Sequence, residues 1–270
     1  MTDHTVSRTS DGRVRKQYRP NPGDAPVREW QALQLLHDHA RGLAPEPLEA
    51  DLHADPPYIM MSALPGTPLG GKPLSAADLR AMAVALDDLH SCVPQQVLDH
   101  VPAGTGWDAA RARIREQLAE QPRPTDDSVV SLAYDEALRW LSGPEATRVL
   151  SEDPGRAVLG RSDHNLTNFL RDGDRVYLVD FEYAGRTDRC AEFGELLEHI
   201  SARCTPDATW QQFLDGQEWS PAEHRRLLAI RRLLAAMWLR MLMPGQEGER
   251  RNPPGTLGKQ ARRMLGLLNS

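Results

Sequence analysis

Cysteine is scarce in this 270-residue chain: Cys92, Cys190 and Cys204, with no CxxC spacing among them. So small and odd a set argues against a disulfide framework and a Cys-based zinc site. The nine His are dispersed too, with no HExxH pair and no Cys/His cluster, so no structural metal is expected. The chain has no long basic run and a formal net charge of -6, which argues against nucleic acid as a partner. Long apolar runs are missing as well. The most apolar helical stretch, residues 227–243, is interrupted by Arg231, Arg232 and Arg240, and three charges make a membrane span too costly. The segment MTDHTVSRTSDGR has no apolar signal core, so a cytoplasmic location is expected. There is no internal repeat or low-complexity tract. What remains is an ordinary globular composition, 40% hydrophobic and 26% charged, long enough for one large domain or two lobes.

Residues 4–19 read as a β-hairpin around SDG, with Val14, Lys16 and Tyr18 on one face of the second strand. VREWQALQLLHDHARG repeats apolar residues at three and four and predicts a helix stopped at Gly42. PLEADLHAD and PYIMMSA suggest two more strands, and LPGTPLGGKP is a Pro/Gly linker. The rest is mostly helical. Ser75 and Asp78 form a capping box ahead of a stripe of Leu79, Met82, Leu86 and Leu89, with His90 at the helix end in a structural role. Further helices are predicted at 107–121, 128–142, 189–203, 208–215, from Ser220 onward, and at 256–268. The linker divides an N-terminal part, 1–64, from a C-terminal part, 65–270.

One stretch of the second part reads as strands: GRSDHNLTNFLRDGDRVYLVDFEYAG, residues 160–185. If 172–174 form its turn, Arg171 lies opposite Arg175 and Asn168 opposite Leu178. Asp180 is then about 6–7 Å further along the strand. A short loop carries Asp163 over the same edge. Asn168 and Asp180 are hard oxygen donors suited to Mg²⁺, and Asp163 is left to orient a substrate hydroxyl. By spacing alone, the ordinary reading of such a trio is a loop and a strand end.

RSDHNLTN followed by DFEYAG resembles the catalytic core of the aminoglycoside phosphotransferase and choline kinase family, whose hallmarks are H-G-D-x-x-x-x-N and D-[FW]-E-x-A-G. GRTDRCAEFGELLEH is similar to that family's acidic continuation, with Asp188 and Glu192 at the acidic positions. The resemblance runs through about residues 4–205 and rests mainly on 159–199. It implies an α+β, protein-kinase-like two-lobe fold, with a reduced N-terminal β lobe that binds nucleotide (1–64) and a larger, mostly helical C-terminal lobe (65–270). It implies an ATP- and Mg²⁺-dependent O-phosphotransferase acting on a small hydroxylated molecule, of the aminoglycoside, other antibiotic or amino alcohol type. Residue by residue, Asp163 matches the catalytic base and Asn168 and Asp180 the metal ligands. Lys16 and Glu29 match the phosphate-positioning pair. Met61, Ser62, Ala63 and Leu64 match the hinge whose backbone meets adenine.

The sequence departs from that pattern in two places. Arg161 and Ser162 stand where the family has His and Gly, and Arg161 is expected to pair with an acid such as Glu192. No Gly-rich phosphate loop precedes Lys16. These departures keep a second expectation open, a kinase-fold pseudoenzyme that binds nucleotide or a partner without efficient transfer. A plain helical interaction protein would leave the ordered series unexplained. Glu195, Glu198 and Asp215 are candidates to meet a cationic substrate, His164 and Asn165 to touch it, and Trp210, Trp219 and Trp238 to stack on it or to fill the core.

Overall fold

The N-terminal hairpin forms as expected. β1 (His4–Arg8) and β2 (Val14–Tyr18) pair antiparallel, with His4 opposite Tyr18 and Val6 opposite Lys16. Gly12 closes the turn at φ 83, a backbone state that Gly adopts without strain. The pleat turns Lys16 and Tyr18 to the buried side. α1 (Ala25–His39) has a Pro in its first turn and buries Ala32, Leu33 and Leu36. Glu29 lies on that same buried stripe. β3 (Pro47–Asp51) and β4 (Tyr58–Met61) complete a four-stranded antiparallel sheet in the order β1-β2-β4-β3, with Ile59 fully buried. The computed structural model describes all residues except 1–3, 105, 126 and 154. The start of the MTDHTVSRTSDGR segment, and Asp126 between the helices predicted at 107–121 and 128–142, therefore lie outside it.

β5 (Thr67–Pro68) precedes α2 (Ala76–Cys92), which opens on the predicted capping box: Asp78 N–H donates to Ser75 Oγ, and Ser75 N–H to Asp78 Oδ2. Next come α3 (Gln95–Leu98), α4 (Trp107–Ala119), α5 (Ser128–Ser142) and α6 (Pro144–Ser151). β6 (Ala157–Gly160), β7 (Phe169–Asp172), β8 (Arg175–Leu178) and β9 (Gly185–Asp188) follow. The chain ends with α7 (Arg189–Glu198), α8 (Asp207–Asp215), α9 (Pro221–Met241), α10 (Glu247–Arg251) and α11 (Thr256–Leu268). The Ser220–Glu223 capping box opens α9 as expected.

The β7–β8 hairpin corrects the predicted register by one residue. Asp172 faces Arg175, Arg171 faces Val176 and Phe169 faces Leu178. The loop is the two-residue Gly173–Asp174, with Gly173 at φ 54, the position where tight hairpin turns favour Gly. Asn168 therefore meets Val179, whose N–H donates to the Asn168 carbonyl at 3.1 Å, and Asp180 is the next residue. The β6–β9 pair was not anticipated. Its strands are four residues each and lie far apart in sequence, so no local signal marks them.

Two compact units are present: Met1–Gly104 with Gly155–Glu192 and Ser201–Gln217, and Thr105–Pro154 with Phe193–Ile200 and Glu218–Ser270. The first holds all nine strands among the described residues, and in it α2 packs on β6 and β8. The second is helical, with α9 against α4, α6 and α11, and α11 against α5. No helix of the described residues is long and apolar enough to cross a membrane.

Candidate active site

Every residue singled out as a site candidate for the nucleotide, the metal or the base lies in the first unit. Lys16 is the centre of one cluster. Its ammonium donates to Glu29 Oε2 at 2.6 Å and to Asp180 Oδ1 at 2.5 Å, and lies 3.2 Å from Glu182 Oε2. Glu29 is further held by the Tyr18 hydroxyl and by the Phe181 N–H at 3.2 Å. His4 Nδ1 is 3.0 Å from Glu182 Oε2. Burial alone would lower the Lys16 pKa, but Glu29, Asp180 and Glu182 outweigh it and raise it above its ordinary value, so the ammonium is charged. Burial likewise works to raise Glu182, yet His4 and Lys16 hold its carboxyl below the usual range. Three carboxylates around one ammonium carry two negative charges more than Lys16 offsets. His4, Asp180 and Glu182 also offer ligand atoms within 4.8 Å of one another, a set able to hold a metal ion.

The second cluster is the loop after β6. Asp163 accepts from the Asn165 N–H at 3.0 Å and from Asn168 Nδ2 at 3.2 Å. The amide nitrogen of Asn168 is thus turned to Asp163, and its oxygen is the atom left to offer a cation. Asp180 sits at φ 68, a left-handed state that Asp tolerates better than most residues. A bonded path runs from Lys16 to Asp180, through Val179 to Asn168, and on to Asp163. The structure brings these four residues, and Glu29, to one place.

Behind the loop lies a fully buried brace. Arg161 Nη1 donates to the carbonyls of Asn168 at 2.9 Å and Val179 at 3.1 Å, and Nη2 lies 3.2 Å from His164 Nδ1. Glu192 Oε2 accepts the Arg161 N–H at 3.0 Å and lies 3.0 Å from His164 Nε2, while Oε1 accepts the Ser162 N–H at 3.2 Å. Arg161 was expected to pair with an acid such as Glu192; it meets Glu192 through its backbone N–H, while the guanidinium reaches two carbonyls. Gly160 makes this possible, since a Cβ there would lie 2.6 Å from Glu192 Oε1 and 2.2 Å from Thr187 Cγ2. Ser162 takes φ 56, the left-handed state open to Gly, which explains why Gly suits this position. Burial pushes His164 down, and Glu192 raises it only in part. Burial works to raise Glu192, but His164 and His90 hold it well below the carboxylate range. The pair is a neutral imidazole beside a carboxylate. His90, at the end of α2, lies 3.7 Å from Glu192, in line with the structural role expected for it.

The expectations for His164 and Glu198 change. His164 is 1% exposed and cannot touch a substrate, and Asn165 caps a short turn by accepting from the Thr167 N–H. Glu198 is fully buried against Arg231 and Arg263, which removes it from the substrate-facing acids. Trp210 is core, its indole N–H donating to the Ala202 carbonyl. Met61 is buried at the end of β4, and Ser62 donates its N–H to the Glu46 carbonyl at 3.0 Å, with Ala63 and Leu64 following half-buried. Sequence reasoning missed three participants. Tyr18 and Glu182 had signals, a shared strand face with Lys16 and the acid of DFE; His4 is found only through the hairpin register.

A profile described as the phosphotransferase enzyme family matches residues 3–230. No curated protein matches the chain in sequence. Among solved structures, a choline/ethanolamine kinase family protein from Mesorhizobium loti is 17% identical with TM-score 0.69, covering 100% of this chain and 86% of that one. Aminoglycoside 2'-phosphotransferase-IIIa, as its GDP complex, is 17% identical with TM-score 0.66, over 99% and 89%. A thermostable mutant of aminoglycoside phosphotransferase APH(4)-Ia, in ternary complex with AMP-PNP and hygromycin B, is 15% identical with TM-score 0.63, over 99% and 94%. These likenesses show the fold, the mixed α+β one with a small N-terminal sheet and a larger helical part.

Proposed function

The chain belongs to the phosphotransferase enzyme family, and on that premise we propose that it transfers the terminal phosphoryl group of ATP, with Mg²⁺, to a hydroxyl of a small molecule. The observation that carries this reading is the Lys16 ammonium held between Glu29 and Asp180, bonded through Val179 and Asn168 to Asp163. Such chemistry needs positioning and charge neutralisation more than covalent help from the protein. Lys16 meets the nucleotide phosphates, and Glu29 fixes its reach. The backbone of Met61, Ser62, Ala63 and Leu64 meets the purine. Asp163, held at both oxygens by its own loop, orients the acceptor hydroxyl and takes its proton. In this reading residues 1–64 form the nucleotide lobe and 65–270 the lobe that carries the base and the substrate.

The residues present fit a divalent cation. The donor atoms, the Asn168 amide oxygen and the Asp180 carboxylate, are hard oxygens, and the excess negative charge around Lys16 favours a cation beside it. Bound there, Mg²⁺ supplies charge neutralisation on the phosphate oxygens. The AMP-PNP and GDP complexes of similar folds support a purine nucleotide as donor. Hygromycin B in one of them supports a hydroxylated small molecule as acceptor, of the antibiotic or amino alcohol class. The cytoplasm, rich in ATP and Mg²⁺, is the proposed site of action.

A panel of hydroxylated metabolites and antibiotics, assayed for nucleotide consumption with ATP and with GTP, tests the reading. At least one acceptor should support Mg²⁺-dependent transfer that Asp163→Ala abolishes in a folded protein. Retained transfer in that variant would remove Asp163 from the role of base. Nucleotide binding without transfer to any acceptor would leave the pseudoenzyme reading instead.

A further inference from the structure

We infer that Arg161 is a positioning residue for the cation site: one buried guanidinium sets the spacing between the Asn168 and Asp180 side chains. Resting on the proposed role of those two residues as cation ligands, the inference assigns a task to a residue that departs from the family pattern. Nη1 carries two protons and donates them to two carbonyls, Asn168 at 2.9 Å and Val179 at 3.1 Å. The first belongs to one ligand residue. The second belongs to the residue immediately before the other. The Val179 N–H adds a third tie by donating to the Asn168 carbonyl at 3.1 Å. The two ligand-bearing backbones are therefore held against each other at one nitrogen, out of water.

The other end of the guanidinium is held as firmly. With a neutral imidazole, His164 donates Nε2–H to the Glu192 carboxylate and accepts from Arg161 Nη2 at Nδ1. The guanidinium carbon lies 4.3 Å from the centroid of the Phe169 ring, on which His164 also stacks at 6.0 Å. Phe169 follows Asn168 directly. The orientation of Arg161 is thus fixed by an acid, an imidazole and a ring, all fully buried or nearly so. Lysine cannot reproduce this, because an ammonium lacks the planar fork that reaches both carbonyls while facing His164. Arg161 is a working replacement for the loop-supporting residue and no sign of a decayed site.

Mg²⁺ demands near-ideal octahedral geometry, whereas Ca²⁺ tolerates irregular sites. A residue that sets ligand spacing should therefore affect the two ions unequally, and one that merely stabilises the fold should not. The experiment titrates Mg²⁺ and Ca²⁺ into full-length wild type, Arg161→Met, Arg161→Lys and His164→Asn at fixed AMP-PNP, followed by calorimetry, with melting curves recorded alongside. Arg161→Met and Arg161→Lys should weaken Mg²⁺ by about 10- to 100-fold, the usual range for residues that orient metal ligands. Ca²⁺ should be nearly unchanged, and His164→Asn should shift Mg²⁺ less in the same direction. Unchanged Mg²⁺ affinity, or equal loss for both ions, overturns the inference. Should Arg161→Met fail to melt cooperatively, Arg161→Lys and His164→Asn decide by the same criterion. Wild type that binds no Mg²⁺ with AMP-PNP would defeat the phosphotransferase reading itself, whereas wild type that binds it beside unaffected variants defeats only the role of Arg161.

Discussion

Two of the ion clusters among the described residues, one in each unit, are built on opposite principles. In the second unit Glu198 is fully buried, with Arg231 Nε at 2.8 Å on one oxygen and Arg263 Nε at 2.6 Å on the other. Two guanidinium groups enclose one acid. In the first unit three acids surround one ammonium, and Asp180 keeps 20% of its side chain exposed. The first arrangement is closed. The second carries excess negative charge and one carboxylate open to solvent, which is how a site looks when part of its positive charge arrives with a ligand. An acid at a helical spacing in the sequence says nothing about which kind it is; the count of cations around it does.

The comparison is tested most severely at the open cluster. Asp163→Asn should lower kcat by about 10²- to 10⁴-fold, the range for loss of a general base, as read by single-turnover transfer. Asp180→Asn should abolish Mg²⁺-dependent transfer without lowering the unfolding free energy in urea, because it removes one of the acids in excess and Asn accepts φ 68. A clear loss of stability there would mean that the open cluster is structural after all. At the closed cluster the opposite holds: Glu198→Gln leaves two half-buried guanidinium groups facing a buried amide and should cost about 3 kcal/mol, the low end of the range for breaking a buried pair, measured by the same urea titration.

Smaller effects sharpen the picture of the brace. His164 and Glu192 both have folded pKa values below their ordinary 6.5 and 4.5. The unfolded chain therefore takes up the proton first as pH falls. The stability they confer is complete above about pH 6.5, declines below it as His164 protonates only in the unfolded chain, and declines again below about 4.5 through Glu192. Melting temperature against pH should show this acid-side fall, and His164→Asn should remove its upper part. Least of all, Ser162→Gly should raise stability by about 1 kcal/mol by relieving a left-handed Ser; no gain would mean that the Ser162 hydroxyl compensates for its backbone.

Much of the fold was legible because it is locally encoded. The SDG turn, the Ser75 and Ser220 capping boxes and the stripe of α1 each act within a few residues. Even the odd members of the site left a trace: Lys16 occupies an inward strand position and Glu29 an apolar-stripe position, and a buried charge at such a place needs a partner. The failures have causes of their own. The hairpin register slipped by one because a two-residue turn starting at Gly173 and a three-residue turn ending at Asp174 read alike until strands pair. His164 looked available to substrate because sequence does not reveal burial. Strands β6 and β9 meet only because distant segments fold together.

The order and chemical types of Lys16, Glu29, Asp163, Asn168 and Asp180 were legible in the sequence alone, as were the capped starts at Ser75 and Ser220 and the first hairpin, since caps, turns and period-two patterns are short-range. Which acids are open and which closed, and where the Arg161 guanidinium goes, were decided only by tertiary structure. Those outcomes depend on Gly160 letting Glu192 approach, on Val179 standing beside Asn168, and on Arg231 and Arg263 reaching Glu198 from elements far along the chain. Coulomb and desolvation energies are set by distance and burial in space, and neither can be read along the chain.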